Sequence, residues 1–316
     1  MVNFIFSFNA VAPSFLLVFL GWMLKRANII DDRFIDTASS LNFKVGYSTL
    51  IFMNIYQSSI VESFDGRFVF FLCGGLLSVC LLLWAVVPHF VKDKRKASAI
   101  IHTSFKPNVI VLGYPIAVAM FGADHMGAMS MALPFVILLD NIAAVILLSA
   151  FDETDSKDGG RLKHSVMGIL KNPIIIASAA AAVLLALKIH LPVFLTKSVS
   201  NLSGMAVPLA LITLGAQMKL KTARENFRFS IPATFMRIVA TPCVLVLLAV
   251  ALGFSGDELA VIFLISGSPT AINSYVISKG MHSDEKLTGE IILMTTFFSM
   301  FTLFLGVYIL KSLALI

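Results

Sequence analysis

The chain has 316 residues, 58% of them hydrophobic and 13% charged, with a mean hydropathy of +0.91; soluble domains run near about 45–50% apolar and about 25% charged. At about 20 apolar residues per membrane crossing there is room for roughly ten spans and little else, which excludes a soluble enzyme, a nucleic-acid binder and a disulfide-stapled secreted module. The formal charge of +6 needs no polyanionic partner, because a membrane protein uses basic loops to orient itself.

In chain order the apolar runs fall at 3–24, 38–59, 67–91, 97–120, 128–151, 172–190, 199–218, 229–252, 258–278 and 287–310. The expected fold class is therefore an all-α polytopic membrane protein of ten transmembrane helices. No charge precedes Lys25-Arg26, so the first run lacks the basic start of a cleaved signal peptide and is expected to stay as a span. Alternate loops hold Lys25, Arg26 and Arg33; Lys92, Lys94, Arg95 and Lys96; Lys157, Arg161, Lys163 and Lys171; Lys219, Lys221, Arg224 and Arg228; and Lys279 and Lys286. The opposite side holds only Arg67, Lys188, Lys197 and Lys311. Lys and Arg accumulate in cytoplasmic loops, so both termini are expected to face outward from the plasma or inner cell membrane. Cys73, Cys80 and Cys243 lie inside apolar runs, spaced neither as a metal site nor as a disulfide framework.

The longest polar stretch, 152–171, contains Gly159-Gly160 and reads as a flexible cytoplasmic connector between a first five-helix repeat, 1–151, and a second, 172–316. Five is odd, so two similar halves in series lie in opposite orientations across the membrane, the inverted-repeat plan of many secondary transporters. Both halves are irregular in their fourth span. The first has Lys106-Pro107-Asn108 followed by Gly113-Tyr114-Pro115, and the second has Ser266-Gly267-Ser268-Pro269-Thr270. A proline in mid-membrane removes a backbone donor and clashes with the preceding turn, and irregular backbone survives there only in protein or along a cavity. The breaks are expected at Gly113-Tyr114-Pro115 and Gly267-Ser268-Pro269, with Ser268 as N-cap of a new half-helix and Pro269 at its first position. Pro208 reads as a packing kink, and Asn172-Pro173 as an ordinary helix start.

These residues resemble the auxin efflux carrier family of secondary transporters, along nearly all of the chain. Asn108-x-x-x-x-Gly113-x-Pro115 looks like the family's fourth-span motif, Lys171-Asn172-Pro173 like its sixth-span start, and Pro208-Leu209-Ala210-Leu211-Ile212-Thr213-Leu214-Gly215 like its seventh. Ser268-Pro269-Thr270-Ala271-Ile272-Asn273-Ser274-Tyr275-Val276 looks like its ninth and is the most specific. The resemblance implies helices 4 and 9 that unwind and cross at mid-membrane with the substrate bound at the crossing. It also implies a fold similar to sodium/proton antiporters and bile-acid sodium symporters, and a scaffold of helices 1, 2, 6 and 7 carrying a mobile transport unit, often as a homodimer. Two positions depart from the pattern: Ser48 stands where the family commonly has proline, and Lys106 where small or apolar residues are usual.

An ionisable side chain inside a span costs about 2.5–3.5 kcal/mol on insertion scales and is a functional candidate by default. Lys106 adjoins the expected crossing, where its charge would add to two half-helix N-termini; its other reading is a span-end lysine that snorkels. Asp140, with Asn141 beside it, sits mid-span in helix 5, placed to accept a coupling proton or to pair with Lys106. Glu290, about one turn into helix 10, is a coupling candidate or an interfacial residue. Arg237 and Lys44 read as snorkelling, span-end cations. Asn108 and Asn273 offer amide donors and a carbonyl, either to a carboxylate or to unwound backbone. The expected substrate-binding set is Lys106, Asn108, Gly113, Tyr114, Pro115, Ser268, Pro269, Thr270 and Asn273.

Catalysis finds no support, since His102, His125, His164, His190 and His282 are scattered, with no His-Glu-x-x-His pattern and no phosphate-binding glycine loop. The expected function is a secondary active transporter of a small organic anion, a carboxylate or an auxin-like acid, working by elevator-type alternating access. It needs no cofactor, and coupling to a proton or sodium ion is left open. An anion channel built on the broken helices, or a sodium-coupled symporter of a bile-acid-like anion, is the alternative.

Overall fold

A computed structural model describes residues 2–57, 65–122, 126–151, 173–217 and 226–316, and among these the only regular structure is helical. Lipid offers no hydrogen bonds to a backbone, so a chain this apolar satisfies its N–H and C=O groups within helices. Among the described residues six helical stretches are long and apolar enough to cross a membrane: Val2–Arg26, Gly66–Phe90, Gly127–Phe151, Val193–Gln217, Phe227–Ala251 and Glu285–Ser312. The helices are α1 Val2–Arg26, α2 Asp32–Leu41, α3 Tyr47–Tyr56, α4 Gly66–Phe90, α5 Lys94–Phe105, α6 Tyr114–Phe121, α7 Gly127–Phe151 and α8 Pro173–Ala186. They continue as α9 Val193–Gly204, α10 Ala206–Gln217, α11 Phe227–Phe235, α12 Thr241–Ala251, α13 Gly256–Gly267, α14 Asn273–Gly280 and α15 Glu285–Ser312. The connector 152–171 lies outside the described residues.

Aspartates mark the helix starts. Asp31, Asp65, Asp93 and Asp284 each precede a helix and accept from backbone N–H groups of its first turn, which answers donors that have no partner inside the helix. Wider turns, closed five residues apart, occur at Asn42–Gly46, Val109–Gly113 and Met236–Ala240; such turns shift the helix register and often flank functional positions. Ser48 follows the first of them. Asn42, buried in that turn, donates its amide to the Ala206 carbonyl oxygen at 2.8 Å, where the seventh apolar run passes from α9 to α10 two residues before Pro208. The missing proline of the second run is thus replaced by a wide turn clasped to the irregular point of the seventh. Beside it α1 and α10 meet backbone to backbone: a Cβ on Gly21 would overlap the Ile212 carbonyl oxygen, and one on Gly215 that of Val18.

The core lies around two short helices. Residues 97–109 and 259–271 are buried at every position, so α5 and α13 have no lipid-facing side at their inner ends. α4 and α15, in contrast, expose Phe70, Leu81, Phe297 and Phe301, as lipid-facing helices do. Each of α5 and α13 ends at an irregular segment, and those two segments meet.

Candidate functional site at the helix breaks

Both breaks follow from one rule. The residue before a proline is pushed out of helical conformation, and the proline cannot donate to the carbonyl four residues back. Lys106, before Pro107, is extended at φ −84°, ψ 107°, and Ser268, before Pro269, at φ −60°, ψ 144°. α5 therefore stops at Phe105, and helical turns resume at Val109; α13 stops at Gly267, and α14 begins at Asn273. The second break falls at Gly267-Ser268-Pro269 as expected, whereas the first is corrected. Gly113-Tyr114-Pro115 is not a break, because the wide turn Val109–Gly113 runs straight into α6 with Gly113 and Tyr114 both helical, a change of register that accommodates the N–H missing at Pro115. Ser268 is not an N-cap but the residue that terminates α13.

The two carbonyls orphaned by the prolines are answered from elsewhere. Thr103 O, four residues before Pro107, accepts from Thr270 Oγ1 at 2.7 Å. Ile265 O, four residues before Pro269, accepts from Arg237 Nη2 at 3.1 Å. The same guanidinium donates through Nε to Ser268 O at 2.9 Å and through Nη1 to Phe105 O at 3.4 Å. Between the breaks the strands pair antiparallel, Pro107 opposite Thr270: Asn108 N–H donates to Pro269 O at 2.7 Å and Ala271 N–H to Lys106 O at 3.2 Å. Thr270 N–H donates to Thr295 Oγ1 on α15 at 3.2 Å. Gly113 lets the next turns close on this knot, since a Cβ there would come within 2.8 Å of Ser268 Oγ.

Arg237 is fully buried and does not snorkel. It lies ten residues past the start of α11 at Phe227, about 15 Å along the helix, beyond the reach of a side chain to the interface. That spacing, readable once the helix start is known, is the signal that the sequence reading passed over.

Lys106 and Asn108 are both buried at the junction. Lys106 Nζ donates to Asn141 Oδ1 at 3.0 Å, and Asn141 Nδ2 to Ile137 O at 2.8 Å. The direct Lys106–Asp140 pair considered from sequence is absent, the one ion pair within 4.0 Å among the described residues being Lys25–Asp32. Asp140 is nonetheless within electrostatic reach of Lys106 and Arg237, and its Oδ1 has no hydrogen-bond partner. Asn108 Nδ2 is equally buried and without a partner. Beyond it, the first turn from Val109 presents N–H groups that have no acceptor within their own helix. An ammonium, a free amide and a helix start thus fall within four consecutive residues, donors of the kind that suit an anion.

The remaining candidates divide. Tyr114 is buried and Pro115 half-buried on the second half of the fourth run, whereas Asn273 is exposed at the start of α14. Thr270 and Pro269 are occupied in holding the crossing together. Glu290 is buried and accepts from Ser230 Oγ at 2.7 Å, a bond that ties α15 to α11 rather than to the crossing. Lys44 is exposed, as a span-end lysine would be. No group of three or more His, Cys, Asp or Glu gathers as a metal site among the described residues.

A family model described as "Membrane transport protein" matches residues 6–158 and 161–307. An uncharacterized transporter of Methanocaldococcus jannaschii is 27% identical over 306 residues, spanning 94% of this chain and 96% of that protein. Another, of Methanothermobacter thermautotrophicus, is 23% identical over 316 residues, spanning 95% and 97%. With the match running over both halves and both breaks, the chain belongs to the membrane transport protein family, the auxin efflux carrier-like transporters that its motifs resemble.

Proposed function

We propose that this chain is a secondary carrier of a small organic anion, with ten spans in two inverted five-helix halves and the substrate held where the two breaks cross. The observation that carries this reading is the buried, partnerless Asn108 Nδ2 beside the buried Lys106 ammonium and the helix start at Val109. Buried polar groups without partners are expensive unless a ligand or water completes them. Alternating access of elevator type fits a crossing whose breaks are bonded to each other and to Arg237, and so travel as one body. The same pinning argues against the channel reading, which needs the two breaks to part around an open path.

Counterflow in proteoliposomes tests the carrier. Labelled carboxylates such as malonate and indole-3-acetate are expected to show saturable uptake that accelerates when unlabelled anion is present on the far side. Unitary currents in a planar bilayer would instead identify a channel.

The proposed orientation, both termini extracytoplasmic, is testable by labelling. In a protein lacking Cys73, Cys80 and Cys243, a cysteine at Ser156 in the connector and one at Asp257 in the first turn of α13 are expected to react from opposite sides of the membrane. Asp257 is preferred to its neighbour Gly256, whose φ of +58° strains any side chain. Reaction of both from outside with an impermeant reagent would overturn the arrangement.

A further inference from the structure

Three charged side chains are buried around the breaks: Lys106 on the first, Arg237 on the wide turn between α11 and α12, and Asp140 on α7. Lys106 and Arg237 are the charges that act on Asp140. From α4 the uncharged thiols of Cys73 and Cys80 lie within its electrostatic reach. His102, one turn before Lys106 on α5, is engaged through Nδ1 with Ser278 Oγ at 3.3 Å, and Glu290 is engaged by Ser230. With Asp140 ionised and both cations protonated, the cluster of Lys106, Arg237 and Asp140 sums to one positive charge. Arg237 spends its donors on three carbonyls, and Lys106 gives one to a neutral amide. Neither cation is locked in a contact pair with Asp140.

We infer that Asp140 fixes the charge number of the anion that the crossing accepts, selecting a singly charged carboxylate over a doubly charged one. The inference rests on the anion-carrier reading and adds to it. Net charge in a low-dielectric interior is costly, so an anion of one charge brings the loaded site to neutrality, whereas a dianion leaves an excess negative charge. The partnerless Asp140 Oδ1 strengthens the discrimination: a second carboxylate near it meets a bare acceptor of the same sign. Rejection of a wrong ligand by a repulsive group is as effective as attraction of the right one.

The test uses the full chain in lipid nanodiscs and two probes with one skeleton, malonate and its monomethyl ester, compared by isothermal titration near neutral pH. Wild type is expected to bind the half-ester more tightly. Asp140→Asn raises the cluster by one positive charge and is expected to shift the affinity ratio toward malonate by about tenfold or more, equivalent to about 1.4 kcal/mol. Asp140→Glu keeps the charge and should keep the wild-type order. Lys106→Gln removes a positive charge and should shift the ratio the other way, so the inference stays open to refutation even where Asp140→Asn does not fold. A ratio in Asp140→Asn or Lys106→Gln that matches wild type overturns the inference while leaving the anion carrier standing, as does equal binding of both probes by wild type. Failure of wild type to bind either probe overturns the carrier reading and this inference together.

Discussion

Lys106→Gln is expected to weaken carboxylate binding by about 1.5–3 kcal/mol, the range for a hydrogen bond to a charged partner, or about tenfold to 150-fold in Kd. Glutamine keeps a donor and much of the side-chain volume, so the loss reports the charge. The wild-type ammonium is held by Asn141 Oδ1, a neutral acceptor that orients it without neutralising it, and a substrate carboxylate is the counter-charge still missing. Asn108→Ala removes the free amide donor beside it and should cost about 1 kcal/mol, as a neutral hydrogen bond does. Isothermal titration of the purified variants measures both effects. Unchanged affinity in the pair would move the binding site away from the breaks.

The second large effect falls on stability. Arg237→Leu leaves the carbonyls of Phe105, Ile265 and Ser268 without their donor and Asp140 without one of its two cations. Breaking a buried charge arrangement by removing one partner costs about 3–5 kcal/mol, a large share of the about 5–15 kcal/mol that holds a typical protein folded. The variant should unfold at markedly lower temperature in detergent, or fail to elute as a single species. Arg237→Lys is expected to be intermediate, because an ammonium is a point donor and cannot serve three carbonyls spread over two segments in the plane of a guanidinium fork. A melting profile equal to wild type in Arg237→Leu would mean that water or rearranged hydroxyls satisfy those carbonyls instead.

The second break was legible in place, at Gly267-Ser268-Pro269; the first was legible in kind and misplaced. Glycine next to proline marks irregular membrane helices, and that signal drew attention to Gly113-Tyr114-Pro115; the stronger local rule, that the residue before a proline leaves the helix, points to Lys106 and Ser268. Pro115 has the same effect on paper, but it follows directly on the wide turn Val109–Gly113, whose altered register accommodates the missing N–H without ending the helix. Lys106, Asn108 and Asp140 were recognisable because a buried charge or amide in an apolar run is costly wherever it lies. Their pairing was not recognisable: whether Lys106 meets Asp140 or Asn141, adjacent in sequence, depends on the rotation of α7 by a fraction of a turn. Arg237 was misread because its depth follows from where α11 begins, and helix ends are the least certain part of any hydropathy profile.

The way the carbonyls left open at the first break are answered bears on how the protein is made. The donor for Phe105 O comes from a residue 132 positions later, and that for Thr103 O from one 167 positions later. A chain emerging from the ribosome therefore inserts its first half with two backbone acceptors bare in the apolar interior, and they stay bare until Arg237 and Thr270 arrive. Helices α1–α7 cannot answer these two carbonyls by themselves; residues beyond the connector finish that interior, and the two parts of the chain are expected to mature together.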